Sequence, residues 1–321
     1  MSKNLEQIGL KSVASQYDLF FIDIWGVIHN GIKLHENAVK VLEELSKNNK
    51  KFILLTNAPR PNLTVINTLK GMGLNKFSET VFTSGEASLR YILEKFKNKK
   101  FFHLGPPRDF DLFRKFENNK VNNIDDSEYI LCSGLFEEHE NDLEYYKNFL
   151  SAQISKKMIC TNPDLIVDRG NKREYCAGSI AKSFEEINGE VIYFGKPYPP
   201  VYELAATVKD KKILCIGDNL NTDIKGAMTQ NFDSLLITGG IHRQEISNFS
   251  IENVLKNYDA KINYFQSELK WWNSLKFLII LIFHKNLKIL LSWLETLMVC
   301  ILDTKNYFSW QKNIKLNINP R

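Results

Sequence analysis

The sequence is poor in cysteine, and its cysteines show none of the spacings that hold a metal ion or a disulfide framework. Only five occur in 321 residues. They are odd in number, widely separated and never arranged as C-x-x-C, which argues against both kinds of site. The positions are Cys132, Cys160, Cys176, Cys215 and Cys300. This usage is typical of a reducing compartment, and we predict a cytoplasmic location.

We also expect neither a secretory leader nor a basic stripe. No apolar stretch follows the basic residues of MSKNLEQIGLKSVASQYD, so we expect no export signal. The net charge of +5 lies entirely in residues 273–321, which hold seven Lys/Arg and two Asp/Glu. Of 42 basic and 37 acidic residues in the chain, 35 of each lie in residues 1–272. A neutral body without a basic stripe predicts no nucleic-acid partner.

The apolar runs of residues 273–321 are too short to span a membrane. A polar stretch at 284–288 divides FLIILIF (277–283) from ILLSWLETLMVCIL (289–302). Neither run reaches the roughly 18 uninterrupted apolar residues of a spanning helix. Leucines recur at helical spacing beside several lysines. We therefore predict a helical extension that binds a membrane surface peripherally or, alternatively, packs on the body or on a second copy of the chain.

Short apolar runs that end in polar or glycine residues alternate with amphipathic segments of helical length. The runs are LFFIDIW (19–25), KFILLTN (51–57), TVFTSG (80–85), VIYFGKP (191–197), KKILCIGD (211–218) and SLLITGG (234–240). Such alternation is typical of βαβ units, whose strands form a parallel sheet covered by helices on both faces. We predict a doubly wound, Rossmann-like α/β core that binds its ligand at the carboxyl ends of the strands.

The middle of the chain continues the alternation with different residues at the strand ends. We predict an inserted α/β domain at 84–190 between two parts of the core, 1–83 and 191–272, with 273–321 as the extension. Near the end of the insertion, Asn162-Pro163-Asp164 and CAGS (176–179) carry turn signals. We predict that Asn162 and Asp164 contact a substrate; a plain loop and a helix start explain the same signals equally well.

Side chains with chemical functions follow four of the predicted strands. They are Asp23 near the end of the first run, Thr56 and Asn57 at the end of the second, Lys196 after Gly195, and Asp218, Asn219 and Asp223 after KKILCIG. A carboxylate at the end of an apolar strand is costly unless it is used or paired. A nucleophilic carboxylate, a hydroxyl, an amide, a fixed cation and an acidic pair together suit phosphoryl transfer through a covalent aspartyl-phosphate.

The order of these motifs resembles that of the haloacid dehalogenase superfamily. D-x-x-G-V, L-T-N, G-K-P and G-D-x-x-x-T-D follow one another over roughly residues 17–272. The insertion between the second and third motifs resembles the C2-type cap of class IIA members, the NagD-like sugar-phosphate and nucleotide phosphatases. The resemblance implies hydrolysis of a small phosphorylated metabolite, a sugar phosphate or a nucleotide.

The same resemblance implies a role for each motif residue. Asp23 corresponds to the nucleophile, Thr56 to the phosphate-binding hydroxyl and Lys196 to the cation that steadies the nucleophile and the phosphoryl oxygens. Mg²⁺ is the implied cofactor, since it prefers oxygen ligands. Its implied ligands are Asp23, Asp218 and the backbone carbonyl of Trp25, with Asn57, Asn219 and Asp223 as supporting residues.

The sequence departs from the family pattern at Trp25, where a second aspartate is usual. That aspartate protonates the leaving group and later helps to deprotonate water, and loss of such help typically costs about 10²–10⁴ in rate. Because the metal uses only the backbone carbonyl, we expect metal and phosphate binding to survive better than turnover. His29 in VIHNG is the candidate replacement for this acid. The alternative is that His29 is a histidine of a flap-like segment and transfers no proton. A phosphatase and a catalytically impaired phosphometabolite-binding protein of the same fold both stay open.

Overall fold

The computed structural model describes residues 2–169 and 172–271, all within the unit Met1–Trp271. The extension at 273–321, with its predicted membrane-surface or packing role, lies outside the described residues. Within the described ranges, no helix is both long and apolar enough to cross a membrane.

Strands and helices alternate along most of the chain. In chain order the strands are β1 (Lys3–Asn4), β2 (Leu19–Ile22), β3 (Lys51–Thr56), β4 (Val81–Thr83), β5 (Phe101–Leu104), β6 (Lys120–Val121), β7 (Tyr129–Cys132), β8 (Lys157–Cys160), β9 (Ile166–Arg169), β10 (Lys172–Tyr175), β11 (Glu190–Tyr193), β12 (Ile213–Gly217), β13 (Asp233–Ile237) and β14 (Tyr264–Gln266). The α-helices are α1 (Lys11–Ala14), α2 (Glu36–Lys47), α3 (Asn62–Gly71), α4 (Ser84–Lys95), α5 (Leu143–Leu150), α6 (Ala177–Glu186), α7 (Pro200–Ala205), α8 (Lys225–Thr229), α9 (Arg243–Phe249) and α10 (Ile251–Asn257).

Seven strands form one parallel sheet in the order β1-β14-β13-β12-β2-β3-β4. All four residues of β2 and all five of β12 are buried, as expected of central strands covered on both faces. Helix α2 covers one face because its apolar positions recur at helical spacing; Ala38, Val41, Leu42 and Leu45 are buried. The predicted Rossmann-like α/β core is confirmed, and β2, β3 and β12 bring their carboxyl ends to the same edge.

A second parallel sheet, in the order β11-β8-β7-β5-β6, uses strands from the middle of the chain, Phe101 to Tyr193. Its own core includes Ile130, Met158 and Phe184. Strands β9 and β10 pair antiparallel with each other and, among the described residues, with neither sheet. The CAGS segment begins helix α6, so its turn signals mark a helix start. The domain boundaries at 83/84 and 190/191 stay predictions.

Candidate active site

Asp23 follows β2 directly and lies at the edge where the strand ends meet. Its backbone N–H donates to the Ile216 carbonyl at 2.8 Å, which continues the pairing of β2 with β12 by one residue. This bond fixes the backbone from which the carboxylate projects. The side chain is buried, with 7% of the residue exposed. A buried carboxylate needs a counter-charge or a proton, and Lys196 supplies the counter-charge.

Lys196 is buried, and its ammonium is fully engaged. It donates to Asp23 Oδ1 at 2.5 Å, to Asp223 Oδ1 at 2.7 Å and to the Leu55 carbonyl at 3.0 Å. Burial by itself would lower the pKa of Lys196, but the charges of Asp223 and Asp23 outweigh it and the pKa is raised. The residue is therefore a permanent cation at neutral pH.

The Asn57 side chain fixes the backbone of Lys196. Its Oδ1 accepts from the Lys196 N–H at 2.7 Å, and its Nδ2 donates to the Lys196 carbonyl at 2.9 Å. The end of β3 is thus tied to the loop that follows β11. The neighbouring hydroxyl of Thr56 is buried in the same wall, and its Oγ1 accepts from the Ala58 N–H at 3.2 Å.

Three buried carboxylates meet beside the ammonium. Asp23, Asp218 and Asp223 each offer an oxygen within 4.8 Å of the other two. Burial, followed by repulsion from Asp223, raises the pKa of Asp218 to about 7. The pKa of Asp23 is also raised, by burial first, although Lys196 opposes the shift. Three carboxylates against one ammonium leave an excess of negative charge that a divalent cation would neutralise.

The oxygens of this cluster differ in how they are engaged. Asp223 uses both, since Oδ1 accepts from Lys196 and Oδ2 accepts from the Asn219 N–H at 3.1 Å. Asp218 Oδ2 accepts from the Ile241 N–H at 2.8 Å, whereas its Oδ1 accepts no hydrogen bond from a described residue. A Cβ at Gly26, where φ is +85°, would lie 2.2 Å from Asp218 Oδ2, so only glycine leaves room for this carboxylate.

A cavity of about 290 Å³ opens above these groups. Its lining includes Asp23, Thr56 and Lys196 at the strand ends and residues 166–168 of β9. A second cavity of about 380 Å³ borders it and shares Trp25, Thr56, Asn57, Asp164 and Val167 with the first.

The two predicted substrate contacts of the insertion lie at the junction of the cavities. Asn162 Oδ1 accepts from the Asp164 N–H at 3.0 Å, which closes a tight turn after β8. Asp164 Oδ1 accepts from Asn57 Nδ2 at 3.2 Å, and burial raises the pKa of Asp164 to about 6. Asp164 lines both cavities and Asn162 lines the second. Their contact with a substrate stays a prediction.

Trp25 and His29 lie together in the loop after β2. The Trp25 ring meets the His29 ring edge to face, with centroids 5.0 Å apart. His29 Nδ1 accepts from the Gly31 N–H at 2.9 Å, and burial lowers the pKa of His29 to about 4. His29 is therefore neutral at pH 7 and lines the second cavity, whereas Asp23 lines the first. Its acid–base role stays a prediction, and nothing in this geometry favours it.

Comparison with known proteins identifies this arrangement. Residues 20–118 match a family described as haloacid dehalogenase-like hydrolase, and residues 193–259 match one described as HAD-hydrolase-like. The chain belongs to the haloacid dehalogenase (HAD)-like hydrolases. A solved HAD-like hydrolase from Brucella suis 1330 has a TM-score of 0.71 and 28% identity, with 81% of this chain and 98% of that chain covered.

Curated relatives of this HAD protein are more distant in sequence. The 5'-nucleotidase YutF of Bacillus subtilis is 22% identical over 237 residues, which cover 71% of this chain and 90% of the relative. The 4-nitrophenylphosphatase of Schizosaccharomyces pombe is 27% identical over 265 residues, with 73% and 88% covered. The predicted family is thus confirmed.

Three charged residues of the HAD site carried no motif in the sequence. Asp168 of β9 lies at the cavity wall, and both Arg173 and Arg243 bind its carboxylate. Arg243 also lines the first cavity. The backbone carbonyl of Asp168 accepts from Trp25 Nε1 at 2.7 Å. Sequence reasoning missed this group because its members are single charged residues far apart along the chain.

Proposed function

We propose that this HAD protein is a Mg²⁺-dependent phosphatase that hydrolyses a small phosphorylated metabolite through a phosphoryl group carried on Asp23. The observation that carries the proposal is the Lys196 ammonium held between Asp23 and Asp223 beside the Asp218 carboxylate. Two curated relatives bear the names of a nucleotidase and a nitrophenylphosphatase, which supports a phosphate monoester as the substrate.

The donor set fits a hard divalent cation, because it consists of oxygens alone. We assign Asp23, Asp218 and the Trp25 backbone carbonyl as the groups that would hold Mg²⁺. Both oxygens of Asp223 are already engaged, so we assign it a supporting role beside Lys196. When bound, the ion supplies positive charge that offsets the repulsion between carboxylates and a phosphate dianion.

The proposed reaction has two displacements at phosphorus. A carboxylate oxygen of Asp23 attacks the phosphorus, the bond to the leaving-group oxygen breaks, and that oxygen takes up a proton. Water then attacks the phosphorus of phospho-Asp23, which releases phosphate and restores the carboxylate. Lys196 holds Asp23 in place through both steps, and the Thr56 hydroxyl donates to a phosphoryl oxygen.

Proton supply is the weak step of this proposed reaction. An indole N–H is not an acid at neutral pH, so Trp25 delivers no proton to the leaving group, and His29 is neutral in the second cavity. Leaving groups of low pKa depart without a proton, whereas alkoxides do not. We therefore assign acyl and aryl phosphates as faster substrates than alkyl phosphates of the same size.

A panel of phosphorylated compounds, measured with the full chain and Mg²⁺, tests the proposal. Acetyl phosphate, 4-nitrophenyl phosphate, sugar phosphates and nucleotides are scored for phosphate release and, by thermal shift, for binding. Asp23→Asn is the matched control, because it keeps the shape of the side chain and removes the nucleophile. We expect release that Asp23→Asn abolishes. If the native chain gives thermal shifts but releases no phosphate, the phosphometabolite-binding protein replaces the phosphatase as the proposed function. If the native chain gives neither thermal shifts nor phosphate release, both hypotheses are rejected.

A further inference from the structure

The hairpin β9–β10 is held in place from outside. Its two strands pair only with each other within the described residues, and an isolated two-stranded hairpin is marginally stable in water. Residues 166–168 nevertheless line the same cavity as Asp23 and form part of its wall. Contacts with the rest of the molecule must therefore determine where this wall lies.

The contacts converge on Asp168. Arg243 Nη1 donates to its Oδ2 at 2.7 Å, and Trp25 Nε1 donates to its backbone carbonyl at 2.7 Å. Arg173 of β10 donates to its Oδ1 at 2.8 Å and also reaches the Ile241 carbonyl at 3.2 Å. We call Trp25, Asp168, Arg173 and Arg243 the Asp168 cluster. It joins the hairpin to two loops at the carboxyl edge of the seven-stranded sheet.

The direction of the Trp25 N–H is set by packing around its ring. A Cβ at Gly31, where φ is +84°, would lie 2.7 Å from Trp25 Cζ2, so the loop is closed tightly on the indole. His29 meets the ring edge to face on another side. Such packing fixes the rotamer, and the indole nitrogen then points at the hairpin. A phenyl ring would fill much of the same space without a donor.

We propose that Trp25, together with Arg243, is a positioning residue that holds hairpin β9–β10 closed over the cavity. The indole bond is short and partly buried, whereas the Arg243–Asp168 pair joins a side chain that is 41% exposed to one that is 14% exposed. Loss of a neutral hydrogen bond of this kind shifts a closing equilibrium roughly 5-fold, and loss of a half-exposed ion pair shifts it by about 2- to 5-fold.

Hydrogen–deuterium exchange of the full chain, measured without substrate, tests the proposal independently of any activity. The variants are Trp25→Phe, Arg243→Gln and the double variant. Trp271→Phe and Arg90→Gln are the matched controls, since neither residue lines either of the two described cavities and Arg90 also forms an exposed ion pair, with Glu86. We expect the amides of β9 and β10 to exchange roughly 5-fold faster in Trp25→Phe and faster again in the double variant. The amides of β2, β3 and β12 should keep their native rates.

Unchanged exchange of the hairpin in Trp25→Phe and in Arg243→Gln would overturn the proposal. An increase in Trp25→Phe that extends equally through the seven-stranded sheet would also overturn it, because Trp25 would then be a general packing residue. Arg243→Gln alters an exposed side chain and leaves the core intact, so it decides the question even if Trp25→Phe unfolds. With 4-nitrophenyl phosphate, a freed hairpin should raise KM by a similar factor and change kcat less. If the chain releases no phosphate, the exchange result still stands.

Discussion

Replacing Lys196 with methionine tests the charge balance of the site more directly than any activity assay. The change removes the ammonium that binds Asp23 and Asp223 and keeps an aliphatic chain of similar length. Both carboxylates are then buried without their counter-charge. We expect a large loss of stability in the absence of metal.

The size of the loss follows from burial. The side chains of Lys196, Asp23 and Asp223 are 5%, 8% and 5% exposed, so water cannot replace the ammonium. Removal of one partner from a buried ion pair costs about 3–5 kcal/mol. An unfolding entropy of about 2.1 cal/mol/K per residue makes each kcal/mol correspond to about 1.5 °C in a chain of 321 residues, which gives a fall in Tm of roughly 4–8 °C at pH 8.

The loss should depend on pH in a defined direction. Burial raises the pKa of Asp23 above that of the unfolded chain, and removal of Lys196 takes away the charge that opposes this shift. The folded state then binds a proton that the unfolded state releases, so stability falls as pH rises from about 4 through the folded pKa. At pH 5.5 the fall in Tm should be smaller than at pH 8.

Thermal unfolding of the metal-free protein, followed by circular dichroism at both pH values, measures the effect. Lys157→Met is the matched control, because Lys157 binds Glu190 at 2.6 Å with side chains that are 50% and 61% exposed. Such a surface pair contributes about 0–1 kcal/mol. If Lys196→Met lowers Tm no more than Lys157→Met, or by the same amount at pH 5.5 and pH 8, the reasoning on buried charge is wrong.

Four further outcomes are expected. Asp23→Asn should abolish phosphate release from 4-nitrophenyl phosphate, and retained turnover would remove Asp23 as the nucleophile. Mg²⁺ should raise Tm more at pH 8 than at pH 6, because the Asp218 carboxyl, with a pKa of about 7, must lose its proton to bind the ion. In Asp218→Asn, Mg²⁺ should raise Tm at neither pH. The native chain should release phosphate faster from acetyl phosphate than from an alkyl phosphate, and equal rates would show that another group already supplies the proton. Asp164→Ala should change the relative rates on a substrate panel, and an unchanged ranking would show that Asp164 does not determine specificity.

The strand ends could be read from the sequence because one rule of sheet geometry decides them. Parallel strands bring their carboxyl ends to one edge, so Asp23, Thr56 and Asp218 had to be neighbours once their apolar runs were recognised as strands of one sheet. Lys196 follows β11 of the other sheet, and its position rests instead on the paired hydrogen bonds with Asn57. The order of the motifs identified Lys196 as a site residue, whereas the periodicity of the apolar residues alone could not have done so.

The Asp168 cluster could not be read from the sequence for physical reasons. Its two arginines are 44% and 41% exposed, and such residues are usually solvated single charges. Arg243 is separated from Asp168 by 75 positions. The bond from Trp25 ends on a backbone carbonyl, and a backbone acceptor is the same whatever side chain stands there. Only the folded hairpin shows that these groups meet.

The resemblance implies an acid at the position of Trp25, and such an exchange would change the charge of the site as well as its chemistry. A carboxylate at this position would add a fourth acid to a cluster in which three carboxylates already share one ammonium. The indole avoids that repulsion and provides a donor to Asp168 instead. Trp25→Asp should therefore have two opposite effects. The new acid raises kcat for alkyl phosphates, whereas loss of the hairpin contact raises KM for every substrate. A rise in kcat without a rise in KM would show that the position of the hairpin does not depend on the indole. A rise in KM alone would show that the introduced carboxyl does not reach the leaving group.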